Sequence, residues 1–218
     1  MIWRILPHAT ACIVSEQLFL LDIRQDRYFR VPAGAASEML AWLRRNYAGV
    51  VPKSAIETLT RARILRAGDP DPTNALKERV AIPDGLERPE VRDAGNGLPV
   101  SVAIAVARTR LALRIFSLHS ILSDRRVRPP LAARGHDNAA HAEAAAFERA
   151  RRMVPFARNC LLDSLTLDRW LARHGIGSQL VFGITAEPFT AHCWLQTSDS
   201  ILNDSFDHVS GFTPILVL

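Results

Sequence analysis

Lysine is almost absent from this 218-residue sequence: of 27 basic side chains only Lys53 and Lys77 are lysines. Such uniform use of arginine reads as a codon habit and not as selection for an anionic partner. The formal charge of +5 and the pI near 9.7 also lose their apparent meaning once they are split by position. Residues 1–98 carry 14 basic and 12 acidic side chains, and residues 99–218 carry 13 and 10, leaving +2 and +3. Neither part is a polyanion-binding block, so no nucleic-acid partner is expected. Cysteine is scarce as well. Cys12, Cys160 and Cys193 cannot close a disulfide framework, and no CxxC or Cys/His cluster has zinc spacing. A reducing, cytoplasmic setting is expected, with no metal. Long apolar runs are missing too: the longest, Pro99 to Ala107, is cut by Arg108, and Met1-Ile2-Trp3-Arg4 does not open a signal peptide. Neither membrane insertion nor a resident cofactor is expected, since Walker, GxGxxG and GxSxG motifs are all absent.

What the chain does have is 48% hydrophobic content, enough for one large domain or two small ones. Ala11 to Ser15, Leu18 to Ile23 and Tyr28 to Val31 are apolar or aromatic runs separated by polar turns, the pattern of a three-stranded meander. After Pro32 the spacing becomes helical at Ala36, Met39, Leu40 and Leu43. A second helix follows Pro52, with Ser54 as cap and Ile56, Leu59, Ala62 and Ile64 on its buried stripe. Sheet followed by helices over residues 1–67 suggests a small winged-helix-like module. Residues 68–98, rich in Pro and Gly, read as a linker. Residues 99–218 form the second domain: a long helix from Val100 to Ser123, a loop from Asp124 to Asn138, and a helix from Ala139 to Met153. The cluster Arg125, Arg126, Arg128 and Arg134 falls in that loop, where it would meet an acidic partner or nothing. The expected fold class is therefore α+β.

The last sixty residues carry the chemistry. Asn159 is a good N-cap, Cys160 to Arg173 is helical with leucines around most of its circumference, and Gly175 is a natural stop. Cys160 thus stands at the first helical position, where unpaired N–H groups and the helix dipole favour a thiolate. Gln179 to Thr185, Ala191 to Gln196 and Ile201 to Asp204 read as an antiparallel meander. If Gln196 faces Ser200, then His192 faces Asp204 on the same side of the sheet. Gly183, on the strand before, would leave room for substrate beside His192. A Cys-His-Asp triad needs this placement: the imidazole takes the thiol proton, and the carboxylate sets ring orientation and tautomer. Each residue alone has a plainer reading as core or turn; the joint placement favours the triad. His119, His136, His141, His174 and His208 read as solvated or capping residues.

The residues Cys160-Leu161, Ser164-Leu165, Leu167, Gly175, Leu180-Val181, Gly183-Ile184, Ala191-His192 with Trp194, and Asn203-Asp204 resemble the signature of lasso peptide biosynthesis B proteins. That resemblance implies a transglutaminase-like, papain-related cysteine peptidase over residues 99–218, with Cys160, His192 and Asp204 as its catalytic residues. Such proteins remove the leader from a ribosomally made precursor peptide. Asp163 stands where relatives often carry a basic residue, which would alter a surface or partner contact. Cys193 stands where alanine is usual; by strand alternation it should face away from the triad and pack. Residues 1–67 resemble a PqqD-like precursor-recognition element, in which the leader adds as a strand to the sheet edge. On this resemblance Tyr28, Phe29, Arg30 and Val31 would form the edge, facing Ile56, Leu59 and Arg63. The plainer reading makes Phe29 and Ile56 core and leaves Arg30 and Arg63 as the contacts of an acidic leader. The resemblance also implies a macrolactam synthetase similar to asparagine synthetase as partner, through which any ATP requirement would enter. A rival expectation is a non-catalytic chaperone that presents the precursor to that partner.

Overall fold

The computed structural model describes residues 3–31, 39, 41, 53–61, 63–68, 81–83, 98–127 and 137–218. It is a mixed α+β structure in two compact units. One comprises Met1–Val80 with Ile184–Thr190 and Thr213–Leu216, and the other Ala81–Gly183, Ala191–Phe212 and Val217–Leu218.

In the first unit β1 is Trp3–Ile5, β2 Ala9–Val14, β3 Gln17–Asp22 and β4 Arg27–Arg30, followed by helix α1 at Lys53–Arg61 and β5 at Leu65–Ala67. Strands β2, β3 and β4 form an antiparallel sheet in that order, with Val14 opposite Gln17 and Asp22 opposite Arg27. The two-residue turn between β2 and β3 places Ser15 and Glu16 at φ of 47° and 62°. Positive φ at both turn positions matches the right-handed twist of the flanking strands. The turn after β3 is tied by Asp22, whose buried carboxylate accepts from the backbone N–H groups of Arg24 and Gln25 at 2.9 and 3.3 Å. Leu18 and Leu20 point to a core shared with Val31, Met39, Leu59 and Ile64.

A second, two-stranded sheet of β1 and β5 has no counterpart in the sequence reading. Three residues per strand are too few for a periodic signal. Helix α1 starts at Lys53, so Ser54 lies in its first turn instead of capping it. Of the helix expected after Pro32 only Met39 and Ala41 are described, both helical. Ala36, Leu40 and Leu43, Ala62 of the second stripe, and most of the expected linker lie outside the described residues.

The second unit holds helix α2 at Leu98–Ile115, α3 at Leu118–Val127, α4 at Asp137–Arg152 and α5 at Cys160–Arg173. Strands β6 and β7 at Gln179–Ala186 and Phe189–Gln196, helix α6 at Phe206–Val209 and strand β8 at Thr213–Val217 complete the chain, with Ile184–Thr190 and Thr213–Leu216 of this stretch belonging to the first unit. The single helix expected from Val100 to Ser123 is two. Ser117 accepts the N–H of Ser120 on its hydroxyl at 3.2 Å, capping a fresh helix after the chain has turned at Phe116. Helix α3 then continues to Val127, so Asp124 to Val127 is helical and not loop. Val102, Ala105, Val106 and Thr109 form the buried stripe of α2, which packs on α4 and α5. Every residue of α5 from Leu162 to Asp168 is buried, so it runs through the interior. It ends where Gly175 takes φ of 72° and Ile176 donates back to the Leu171 carbonyl.

The three-stranded sheet has the order β7, β6, β8. The expected third strand at Ile201 to Asp204 is reduced to one bridge, Gln196 with Ile201, and β8 takes the third place on the far side of β6. Gly183 is explained by packing and not by room for substrate. A Cβ there would meet the Trp194 ring at 2.7 and 2.8 Å and the Phe212 Cβ at 2.9 Å. Among the described residues no helix is long and apolar enough to cross a membrane. Gly183→Ala is expected to lower unfolding stability by about 1–3 kcal/mol through overpacking against Trp194. Chemical denaturation checks this, and an unchanged midpoint would count against the close packing.

Candidate active site

Helix α5 delivers Cys160 because its cap is well made. Asn159 is extended at φ −149° and ψ 131°, and its side-chain oxygen accepts the N–H of Leu162 at 3.1 Å. The chain therefore enters the helix at Cys160, whose thiol is half-buried and free of any disulfide. Its pKa is lowered first by the hydrogen bond with the His192 ring, against the opposing effect of burial. The charge of His192 and backbone N–H groups of Cys193 and Leu161 lower it further.

Strand β7 carries His192, half-buried, between the buried Cys193 side and the exposed start of the strand. Its Nε2 donates to Asp204 Oδ2 at 2.6 Å, which leaves Nδ1 for the sulfur. Burial by itself would depress the imidazole pKa; the hydrogen bonds and charges of Asp204 and Cys160 outweigh it and raise the pKa to about 9. Burial would likewise raise the Asp204 carboxyl. Hydrogen bonds from His192, the Ser205 N–H and His208 hold it at about 2 instead. The three side chains, expected together on sheet register, meet by another route. The ladder runs one residue out of the expected register and stops: Leu202 donates to the Leu195 carbonyl, then the side chain of Asn203 takes the Leu195 N–H at 2.8 Å. That substitution of a side-chain oxygen for a strand carbonyl turns the chain and brings Asp204 to His192.

A buried polar chain joins these pieces. Ser164, fully buried on α5, donates to the Cys193 carbonyl at 3.0 Å and accepts from the Asn203 amide at 2.8 Å. Asp163 is no surface residue. It is buried between Arg151, at 2.7 Å, and Arg158, at 3.2 Å. Arg151 also donates to the carbonyls of Phe156 and Ala157, so it fixes the segment that leads into Asn159. Cys193 is buried, and its thiol is pushed up in pKa, chiefly by burial.

The cleft in front of the sulfur has a volume of about 210 Å3 and is lined by Arg158, Asn159, Cys160, His192 and Asp204 among others. His208, expected to be solvated or capping, is exposed and also sits on Asp204, with Nδ1 at 3.0 and 3.1 Å from the two carboxylate oxygens. Nothing in the sequence marks it except its i, i+4 spacing from Asp204 inside a segment read as strand and loop. His192, Asp204 and His208 are also the one group among the described residues whose metal-ligand atoms lie within 4.8 Å of one another. They are engaged with each other through hydrogen bonds. His141, expected to be solvated or capping, is buried in α4. Arg125 is helical and structural, donating to Asp168 at 3.0 Å and to the Ser178 carbonyl at 2.7 Å. Arg128, Arg134 and His136 lie outside the described residues.

The expected leader-binding residues lie in the first unit. Strand β4 is an edge of its sheet, paired with β3 among the described residues. Val31 and Leu59 are buried in that unit's core, and Phe29 and Ile56 pack against it half-buried, which is the plainer of the two readings. Tyr28 packs edge-on to Phe189 of the same unit, with ring centroids 5.6 Å apart, on the face away from that core. Arg30 and Arg63 are exposed; Arg30 donates to Gln17 at 3.5 Å, and Arg63 takes φ of 57° in the turn after α1.

A family model described as transglutaminase-like superfamily matches residues 103–217. No curated protein and no solved structure matches the chain. The matched span contains α5, β6, β7 and the whole of the Cys160, His192 and Asp204 constellation. Ser164→Ala is expected to cost about 1–3 kcal/mol, because the buried Cys193 carbonyl and the half-buried Asn203 amide would both lose the Ser164 hydroxyl. A urea unfolding series measures it, and a loss below about 0.5 kcal/mol would show the polar chain to be dispensable.

Proposed function

The chain belongs to the transglutaminase-like superfamily, and from that premise we propose that it is a cysteine peptidase that removes the leader from a ribosomally made lasso peptide precursor. The observation that carries the reading is the arrangement at the end of α5: a thiol of lowered pKa hydrogen-bonded to an imidazole, itself bonded at 2.6 Å to a carboxylate. With the Cys160 pKa lowered and that of His192 raised, the resting pair is thiolate and imidazolium. The thiolate attacks the carbonyl carbon of the leader–core bond. The backbone N–H of Cys160, at the open end of α5, contributes to holding the oxyanion. His192 then gives its proton to the leaving amine as the C–N bond breaks, leaving an acyl-enzyme. Water gives a proton to His192 and attacks the acyl carbon; the C–S bond then breaks, releasing the carboxylic acid, which ionises in solution, and restoring the thiolate beside the imidazolium. Asp204 holds the ring in one orientation throughout.

The first unit serves as the recognition element for the leader. Its support is the edge position of β4, with Arg30 exposed at the end of that strand and Arg63 exposed after α1. A leader bound there would raise the effective concentration of the cleavage site at Cys160. The partner in this reading is an asparagine-synthetase-like macrolactam synthetase, which supplies any ATP dependence.

Incubating the neighbouring-gene precursor peptide with wild type should give separated leader and core by mass spectrometry. Cys160→Ala should bind the leader with unaltered affinity and cleave none of it. Cleavage by Cys160→Ala would overturn the peptidase reading, and binding without cleavage by wild type, with and without the synthetase and ATP, would favour the chaperone. The pH profile carries a sign. Proton donation by His192 requires its charged form, so kcat/KM should fall as pH rises through about 9 and fall again on the acid side as the Cys160 thiolate is protonated.

A further inference from the structure

His208 takes no part in the steps above, yet it makes more contacts with the Asp204 carboxylate than His192 does. It lies on α6, whose start is capped by the Ser205 hydroxyl, and it follows Asp204 by four residues. Asp204 Oδ1 accepts the Ser205 N–H at 2.8 Å, and Oδ2 accepts His192 Nε2 at 2.6 Å. The His208 Nδ1 reaches both oxygens, at 3.0 and 3.1 Å. Its ring lies 4.7 Å from the His192 ring and edge-on to Phe212 at 5.5 Å, so it is held on two sides although its side chain is 54% exposed.

The terminal torsion of an aspartate is broad, and one N–H on one oxygen leaves the carboxylate plane free to turn. A donor placed between both oxygens removes that freedom. The Ser205 N–H binds Oδ1, whereas the His208 Nδ1 spans both oxygens. The geometry points to His208 as a positioning residue: its Nδ1–H sets the Asp204 carboxylate so that Oδ2 stays aimed at His192 Nε2. This rests on the cysteine-peptidase reading of the site. It adds to the three reacting residues a fourth that acts through Asp204 and never touches the substrate.

The test compares wild type, His208→Ala and His208→Asn. The Asn side chain carries its N–H on the same branch as the imidazole Nδ1 and keeps the bond without the ring. Two quantities are read: the rate at which iodoacetamide alkylates Cys160 near neutral pH, located by mass spectrometry, and kcat and KM for precursor cleavage. His208→Ala should slow alkylation and lower kcat by about tenfold to a hundredfold with KM little changed, the scale of loss for a misplaced reacting group. His208→Asn should restore both to within about threefold of wild type. Unchanged rates in His208→Ala would overturn the inference. So would equal losses in both variants, since ring packing and not the hydrogen bond would then be at work. If no variant nor wild type cleaves precursor while alkylation still follows the Ala and Asn pattern, the leader-peptidase reading fails and the role of His208 stands.

Discussion

One buried hydroxyl fixes how Cys160, His192 and Asp204 meet. Ser164 is fully enclosed in α5, where an unbonded O–H would cost about 1–3 kcal/mol, so its bonds to the Cys193 carbonyl and the Asn203 amide are obligatory. The neighbours of those bonds matter most. Ser164 is one helical turn after Cys160, Cys193 follows His192, and Asn203 precedes Asp204. Holding these three therefore holds Cys160, His192 and Asp204 to a common frame. Asn203 contributes twice, since its oxygen also ends the strand ladder by taking the Leu195 N–H.

Charge placement completes that frame. A buried ion pair is costly unless its remaining donors and acceptors are satisfied, and the pair of Arg151 and Asp163 meets this condition through main-chain carbonyls at Phe156 and Ala157. The segment before Asn159 is thereby set, and with it the point at which Cys160 enters the helix. At the other end, Asp204 is held near pKa 2 by donors from three directions. A carboxylate so well supplied favours its ionised form, which helps raise the pKa of His192 and, through it, lower that of Cys160.

Local signals in the sequence were informative where the cause was local. Asn159 ahead of an apolar helix reads as a cap because its side chain can satisfy an N–H two or three residues on, and the structure has that bond. Gly175 reads as a stop because only a left-handed residue fits there. Apolar and aromatic runs bounded by polar turns mark β2, β3 and β4, and every residue of β3 from Leu18 to Asp22 is buried. Long-range causes left no such trace. The break at Phe116 and Ser117 interrupts a stretch that is apolar on both sides of it. The edge of the β7–β6–β8 sheet is taken by β8, and Ile201 to Asp204, read as a strand, makes one bridge. Gly183 answers to Trp194 and Phe212, eleven and twenty-nine residues away in sequence.

The sequence by itself determined the α+β composition, the capped helix that begins at Cys160, the absence of a disulfide framework and an even, modest charge. These follow from residue type, short-range spacing and counting. The tertiary structure decided how Cys160, His192 and Asp204 meet, that Asp163 is buried with Arg151, that Gly183 is a packing residue, and that His208 shares the Asp204 carboxylate. Each of these turns on which distant segments share a buried polar atom. A one-residue shift in strand register or a side-chain oxygen standing in for a backbone carbonyl changes that outcome without changing the local pattern from which a sequence is read.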